Sequence, residues 1–263
     1  MRADKFFAEK FGSRTKAAEA LEKGWVTVNG KKIRPKDEVK ETDTVVFLET
    51  GERFVSNGGY KLARAIETFA FDCRGKTFVD LGASTGGFTD CLLQNGAGKV
   101  YAVDVGESQL HETIALNDRV VVMDNTNARY LTHERFSDEI DCVVTDVSFI
   151  SLRLIFPAIA AILRQNGCAF VLIKPQFECE NKHIGKSGIV HPSAHAEIVK
   201  KVLGYASENG LYPFGVVHAP IRKGKNIEYI VYLQPLRENS MQDGTVIDLI
   251  KETAKNNSLG ILY

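Results

Sequence analysis

The sequence predicts an α/β protein in two parts: a small α+β unit, then a larger domain of alternating strands and helices. Three observations carry this. Short apolar runs recur along residues 77–146 with a single acid at or near the end of each, a glycine-rich turn follows the first run, and charge is segregated at the amino-terminal end. The chain has 263 residues, 33 Lys+Arg against 33 Asp+Glu, 25% charged and 44% hydrophobic residues. That is an ordinary globular balance for one or two domains, able to bury a core without disulfides. Five cysteines, at Cys73, Cys91, Cys142, Cys168 and Cys179, form no Cys-x-x-Cys pair. They speak against a disulfide framework or a zinc site and for a reducing compartment. No basic-then-apolar leader follows Met1, and the most apolar stretch, Leu152–Leu163, carries Arg153 and Pro157. It is too short to span a bilayer. The expectation is a soluble cytoplasmic protein that binds neither membrane nor metal.

Residues 1–36 hold ten Lys/Arg against four acids, and residues 37–52 hold six acids against Lys40 alone. The first block is a small basic surface of the kind that attracts phosphates. Ala3–Lys10 reads as a short amphipathic helix ending near Gly12. Ser13 then caps a second helix from Arg14 to Lys23, with Ala17, Ala18 and Leu21 on one face. Gly24 closes it. Trp25–Val28 is a strand before the Asn29-Gly30 turn, Lys31-Lys32-Ile33 leads back, and Thr44–Leu48 completes a small sheet.

Arg2-x-Asp4-Lys5-Phe6, Gly12-Ser13-Arg14-x-x-Ala17 and Gly24-x-Val26-x-Val28-Asn29-Gly30 together resemble the S-four-type RNA-binding domain over residues 1–52. The resemblance implies RNA contact through the second helix and the loop before it. Its candidates are Arg14, Lys16, Lys23, Lys31 and Lys32. From charge alone, the same lysines could be a solvated face.

A linker over 53–57 leads to the second domain, 58–263. Thr77–Leu81 reads as a buried strand that enters Gly82-Ala83-Ser84-Thr85-Gly86-Gly87-Phe88 and then a helix through Leu92-Leu93. Such a turn lets a ligand approach the backbone near a helix N-terminus. A nucleoside-triphosphate loop would need Gly-Lys-Ser/Thr at its end, and a dinucleotide fingerprint would need glycine at Ser84. Gly82-x-Ser84-x-Gly86 formally matches a hydrolase nucleophile elbow, with His191, His195 or His218 downstream. The elbow, however, normally sits well inside a sheet, and here it follows the first strand of its domain.

A fourth reading accounts for more. Lys99–Asp104 is a second strand ending in an acid 22 residues past Gly82, where a carboxylate can accept from both ribose hydroxyls of a nucleoside cofactor. Val120–Asn125 ends in Asp124 and Asn125, at the height of an adenine edge, and Ile140–Asp146 ends in Asp146. Each acid taken singly could be a helix cap. The series resembles the class I S-adenosylmethionine-dependent methyltransferase fold, which is Rossmann-like. That resemblance makes Asp80, Gly82, Ser84, Thr85, Gly86, Gly87, Phe88, Asp104, Asp124 and Asn125 the cofactor-site candidates.

The residues after the fourth strand indicate the methyl acceptor. Amino-directed enzymes of this fold carry Asn/Asp-Pro-Pro-Tyr/Phe there, whereas this chain has Asp146-Val147-Ser148-Phe149. The next buried strand, Ala169–Ile173, runs into Lys174-Pro175-Gln176-Phe177-Glu178. Glu228 lies in a late strand, Asn226–Val231, and Lys61 opens a helix upstream. Lys61, Asp146, Lys174 and Glu228 resemble the Lys-Asp-Lys-Glu tetrad of FtsJ-like ribose 2′-O-methyltransferases. A ribose hydroxyl is a weak acid, so a lysine poised by a carboxylate can stabilise its alkoxide or act as base.

With Val55–Leu62 and Ile173–Glu178 between and within these parts, the whole chain resembles the TlyA family. Its members methylate ribosomal RNA at cytidine 2′-hydroxyls, and many carry the label haemolysin. The resemblance implies rRNA or ribosomal subunits as partner. One departure is Asn57, where the family has Arg. Gly185–Val190, with Lys186, and Arg222-Lys223-Gly224-Lys225 are basic loops that could grip a flipped nucleotide or be plain surface turns. Residues 242–256 read as a docked helix. The rival readings are a membrane-active haemolysin and a catalytically silent RNA-binding assembly factor.

Overall fold

The computed structural model describes residues 1–22, 24–47, 53–185, 187–222, 224–238 and 240–258. The chain divides into two compact units, Met1–Arg53 and Phe54–Tyr263.

In the first unit, α1 (Ala3–Phe6) and α2 (Arg14–Glu22) cover a three-stranded antiparallel sheet, order β2-β1-β3, of β1 (Val26–Val28), β2 (Lys31–Lys32) and β3 (Val45–Phe47). Ala3, Phe7, Ala17, Leu21, Val26, Val28 and Val39 form its core. The first helix stops short of the expected Lys10. The chain leaves regular helix at Phe7, whose buried ring stands edge-on to Phe6 and Phe47, and a single turn from Phe11 to Phe7 follows. Leu48, expected to end the last strand, lies outside the described residues.

The second unit is a seven-stranded sheet with helices on both faces. In chain order it comprises α3 (Asn57–Thr68), β4 (Thr77–Leu81), α4 (Gly87–Gln94), β5 (Lys99–Val103), α5 (Glu112–Ala115), β6 (Val120–Met123), β7 (Ile140–Thr145), α6 (Phe156–Ile162), β8 (Leu163–Ile173), α7 (Pro175–Glu178), α8 (His195–Glu208), β9 (Tyr212–His218), β10 (Tyr229–Gln234) and α9 (Asp243–Ser258). The order is β6-β5-β4-β7-β8-β10-β9, parallel from β6 to β8, with β10 antiparallel to both of its neighbours. Because both faces are covered, the central strands are apolar at nearly every position. Alternation assigns Val79, Leu81 and Val143 to one core and Phe78, Val144 and Phe170 to the other. Val246, Ile250 and Ala254 are the buried positions of α9, while Leu249 faces solvent.

Phe54 is buried edge-on to Tyr60, and the Val55 amide donates to Asp90 Oδ2 at 2.8 Å. Asn57 is already the first residue of α3. Glu228 precedes β10 instead of lying within it. Its carbonyl accepts from the Ala219 amide, while Asn226 turns aside to bond the 188–190 loop.

Candidate functional site

The loops at the carboxyl edge of the parallel strands form the site, as expected for an open α/β sheet. After β4 the chain turns through Gly82 to Gly86, where φ is +90°, a conformation open to glycine at little cost. Gly87 then opens α4 against α3. A Cβ on Gly87 would stand 2.2 Å from Ser56 Oγ and 3.1 Å from Gly58 Cα. This close approach carries α3, and Lys61 on its second turn, over the strand ends.

There the four charged candidates meet. Lys61 Nζ lies 2.8 Å from Glu228 Oε2 and 3.2 Å from Asp146 Oδ2, and Lys174 Nζ lies 2.6 Å from Asp146 Oδ1. The result is one unbroken chain, Glu228–Lys61–Asp146–Lys174. Lys174 is 7% exposed and also donates to the Asp146 carbonyl at 3.1 Å and to Ser148 Oγ at 2.7 Å. Burial pulls the Lys61 ammonium downward, but Asp146 and Glu228 outweigh it and hold its pKa above the ordinary lysine value. The direction of β10 brings Glu228 here. Tyr229 pairs with Ile173, so the residue before β10 stands across from the residue after β8.

Two cavities that share Gly82, Ser84, Asp146 and Ser148 adjoin the chain. The smaller, about 160 Å³, is bordered by Gly58, Asp80, Thr85, Phe88 and Lys174, and the larger, about 900 Å³, runs past Asp104 to Asn127 and Phe149. Asp80 is fully buried. Its Oδ2 accepts from the Thr89 amide and hydroxyl at 3.0 and 2.7 Å, while its Oδ1 has no donor. Burial pushes its pKa up to about 7; the Thr89 hydroxyl works against the shift and the charge of Asp146 adds to it. Asp104 takes the Ser84 amide on Oδ2 and the Gly106 amide on Oδ1, both at 2.8 Å, so it shapes the loops while keeping a lone pair on each oxygen.

Asp124 and Asn125 fall outside the lining of either cavity. Asp124 Oδ2 caps the Ser108 amide at 2.9 Å, and Asn125 is a left-handed turn residue. Thr126 and Asn127, one and two residues farther on, line the larger cavity instead. Ser84 sits at φ +47° and bonds Asp104 through its backbone amide. Three further residues, Ser148, Phe149 and Gln176, stand in the quoted motifs but carry no site role in the sequence reading. Gln176 Nε2 donates to Glu228 Oε1 at 3.3 Å. Phe149 is 90% exposed at φ +60°, its ring 4.9 Å from that of Phe177. Behind it, the buried Glu178 carboxylate accepts from Ser151 Oγ and the Leu152 amide and so anchors the Phe149 loop.

In the amino-terminal unit, Asp4 holds Arg2 at 2.9 Å and Arg14 at 2.9 Å, and these guanidiniums keep its carboxyl down at about 2. Arg14 is exposed and commits only Nη2 to this ion pair. Lys16, Lys31 and Lys32 are exposed. Lys23, Lys186 and Lys223 lie outside the described residues. Arg222 is exposed and donates to Asn57 Oδ1. Among the described residues no His/Cys/Asp/Glu cluster is placed to hold a metal ion, and no helix is long and apolar enough to cross a membrane.

Comparison with known proteins follows the same division. The FtsJ-like methyltransferase family model matches residues 54–235 and the S4 domain model residues 1–45. The 16S/23S rRNA (cytidine-2′-O)-methyltransferase TlyA of Mycobacterium tuberculosis is 38% identical over 233 residues, 87% of this chain and 87% of that protein. Hemolysin A of Brachyspira hyodysenteriae is 40% identical over 224 residues, 84% of this chain and 93% of its own. A solved structure of a hemolysin candidate from Streptococcus thermophilus superposes with a TM-score of 0.77 at 35% identity, covering 99% of this chain and 97% of that one.

Proposed function

Because the chain belongs to the TlyA family of S4-containing, FtsJ-like methyltransferases, we propose that it transfers a methyl group from S-adenosylmethionine to a cytidine ribose 2′-hydroxyl of ribosomal RNA. One observation carries the reading: the unbroken Glu228–Lys61–Asp146–Lys174 chain bordering a glycine-lined cradle.

The cradle fits the cofactor. Asp80 Oδ1, buried without a donor, suits an ammonium such as that of a methionine moiety, and Asp104 retains the lone pairs that ribose hydroxyls need. Gly86 lies outside the lining and packs toward Leu110 and Ile114, whereas Gly82 and Gly87 line the cradle together with Thr85 and Phe88. Bound there, S-adenosylmethionine supplies an electrophilic methyl carbon. Lys174, fixed by Asp146 and Ser148, exchanges one of its three contacts for the ribose oxygen, and the hydroxyl proton passes to Asp146 Oδ1. Lys61 neutralises the far side of Asp146 and is itself fixed by Glu228, so direct ion pairs hold the geometry of the site. Phe149 offers an exposed aromatic face on which an RNA base can stack.

On this proposal residues 1–52 hold RNA, 53–57 connect, and 58–263 carry the chemistry. Arg14, Lys16, Lys31 and Lys32 on the first part and Arg222 on the second contact phosphates in the cytoplasm, where ribosomal RNA is met. Tritium transfer from labelled cofactor to purified ribosomal subunits, followed by alkaline hydrolysis, tests the reading. Label in alkali-resistant dinucleotides supports it, since a 2′-O-methyl group blocks cleavage; label on a base, or none, overturns it.

A further inference from the structure

Behind Lys61 and Glu228 lies a third cavity, about 290 Å³, that holds none of the cofactor candidates and is lined by Tyr60, Gln176, Arg222, Lys225 and Asn226 among others. Its polar groups are sorted. Arg222 and Lys225 are exposed, and neither has a carboxylate partner among the described residues. On the inner wall, Gln176 donates through Nε2 to Glu228 Oε1, and its Oε1 is buried with no donor at all. Turning the amide over would set Oε1 against the Glu228 carboxylate, so the unpartnered atom is the oxygen. A buried acceptor left empty is costly, and a ligand N–H relieves that cost.

Resting on the ribose methyltransferase reading, we propose that this cavity receives the target base and that Gln176 Oε1 accepts the exocyclic amine of cytosine, making Gln176 the residue that separates cytidine from uridine. The base is joined to the carbon next to the reacting one, so it must lie beside Asp146 and Lys174. Lys61, which contacts Asp146, is also part of this cavity wall. A phosphate does not suit the inner wall, because Gln176 Oε1 and Glu228 would face its oxygens lone pair to lone pair. Cytosine offers one donor, at N4, and acceptors at N3 and O2. The donor meets Oε1, and the acceptors suit Arg222 and Lys225, which can only donate. Uracil reverses the first two of these groups and sets O4 against Oε1.

The test begins by mapping the nucleotide that wild-type protein methylates, then preparing that rRNA as transcripts carrying C or U at the position. With the full chain, kcat/KM is measured on both transcripts for wild type, Gln176→Met and Gln176→Asn. Calorimetry with S-adenosylmethionine identifies the variants that are folded. Wild type should prefer C by roughly tenfold to a hundredfold, as one matched base-edge contact gives. Both variants should bring the ratio to within about threefold, chiefly through slower reaction on the C transcript. If Gln176 merely steadied Glu228, its removal would slow both transcripts equally and leave the ratio intact. An intact ratio in either folded variant overturns the assignment. Absence of ribose product from wild type on both transcripts would instead overturn the reading on which the assignment rests.

Discussion

Lys174→Ala separates chemistry from folding more cleanly than any other single change at this site. The side chain is 7% exposed and ends in one ion pair and two hydrogen bonds, at 2.6 Å to Asp146 Oδ1, 3.1 Å to the Asp146 carbonyl and 2.7 Å to Ser148 Oγ. Breaking a buried ion pair typically costs 3–5 kcal/mol because the partner is left uncompensated. Here Asp146 keeps Lys61 at 3.2 Å, so the cost should fall below that range, to about 2 kcal/mol. In a chain of this length that lowers Tm by roughly 4–8 °C. The effect on turnover is larger. Removing one donor to a developing oxyanion costs about 10²–10³ in rate, and losing control of the proton adds to it. A fall in kcat of at least ~10³, equivalent to about 4 kcal/mol of barrier, is expected while cofactor affinity stays within a few-fold. Lys174→Arg should not restore activity, because a planar guanidinium fits neither the Ser148 nor the Asp146 contact in the same pose. The double variant Asp146→Ala/Lys174→Ala should be scarcely slower than either single one, as for groups acting as a unit. Single-turnover methyl transfer to ribosomal subunits, at saturating cofactor, reads all of these. Turnover by Lys174→Ala within tenfold of wild type would refute the mechanism, even with methyl transfer itself established.

Asp104→Ala should weaken S-adenosylmethionine binding by about 1–3 kcal/mol, or more if the Ser84 and Gly106 amides it holds lose their loop geometry; calorimetry on the folded variant reads this, and unchanged affinity removes Asp104 from the site. Asp80 titrates near 7 in the folded chain against 3.8 when exposed, so the native state binds the extra proton between those values. Stability without cofactor should therefore fall as pH rises from about 4 to 7, by up to ~4 kcal/mol, and level off above. Asp80→Asn should flatten that slope in chemical denaturation, and an identical slope would contradict the burial argument. Lys16→Glu with Lys31→Glu should weaken rRNA binding and reduce the salt slope by about 0.7–0.9 for each phosphate left unneutralised. Arg14 serves this test less well, since a carboxylate there would repel Asp4 and disturb the unit itself.

Features whose physics is local were legible in the amino-acid sequence. Thr77–Leu81 is a strand because four apolar or β-prone residues, interrupted only by Asp80, precede a glycine turn, and the structure reproduces those limits. Asp104 could be located because an acid just past a parallel strand stands at the ligand edge of the sheet, and it lines the larger cavity there. The four charged residues were legible through their joint resemblance to the Lys-Asp-Lys-Glu tetrad, since taken singly each could be a member of a surface ion pair. Relations over long separations had to wait for the folded chain. Lys61 and Asp146 are 85 residues apart, and their contact depends on the glycine-to-glycine approach of α3 and α4. Glu228 reaches the site because β10 runs against its neighbours, and strand direction leaves no mark in a period-two pattern. Asp124 and Asn125 had the right position in sequence, but a side chain one residue from a strand end turns either to the ligand or to its own loop. The Ser108 amide drew Asp124 to the loop, leaving Thr126 and Asn127 on the cavity wall. The role of Gln176 was invisible for the same reason: a buried oxygen without a donor is a property of everything around it and of no residue alone.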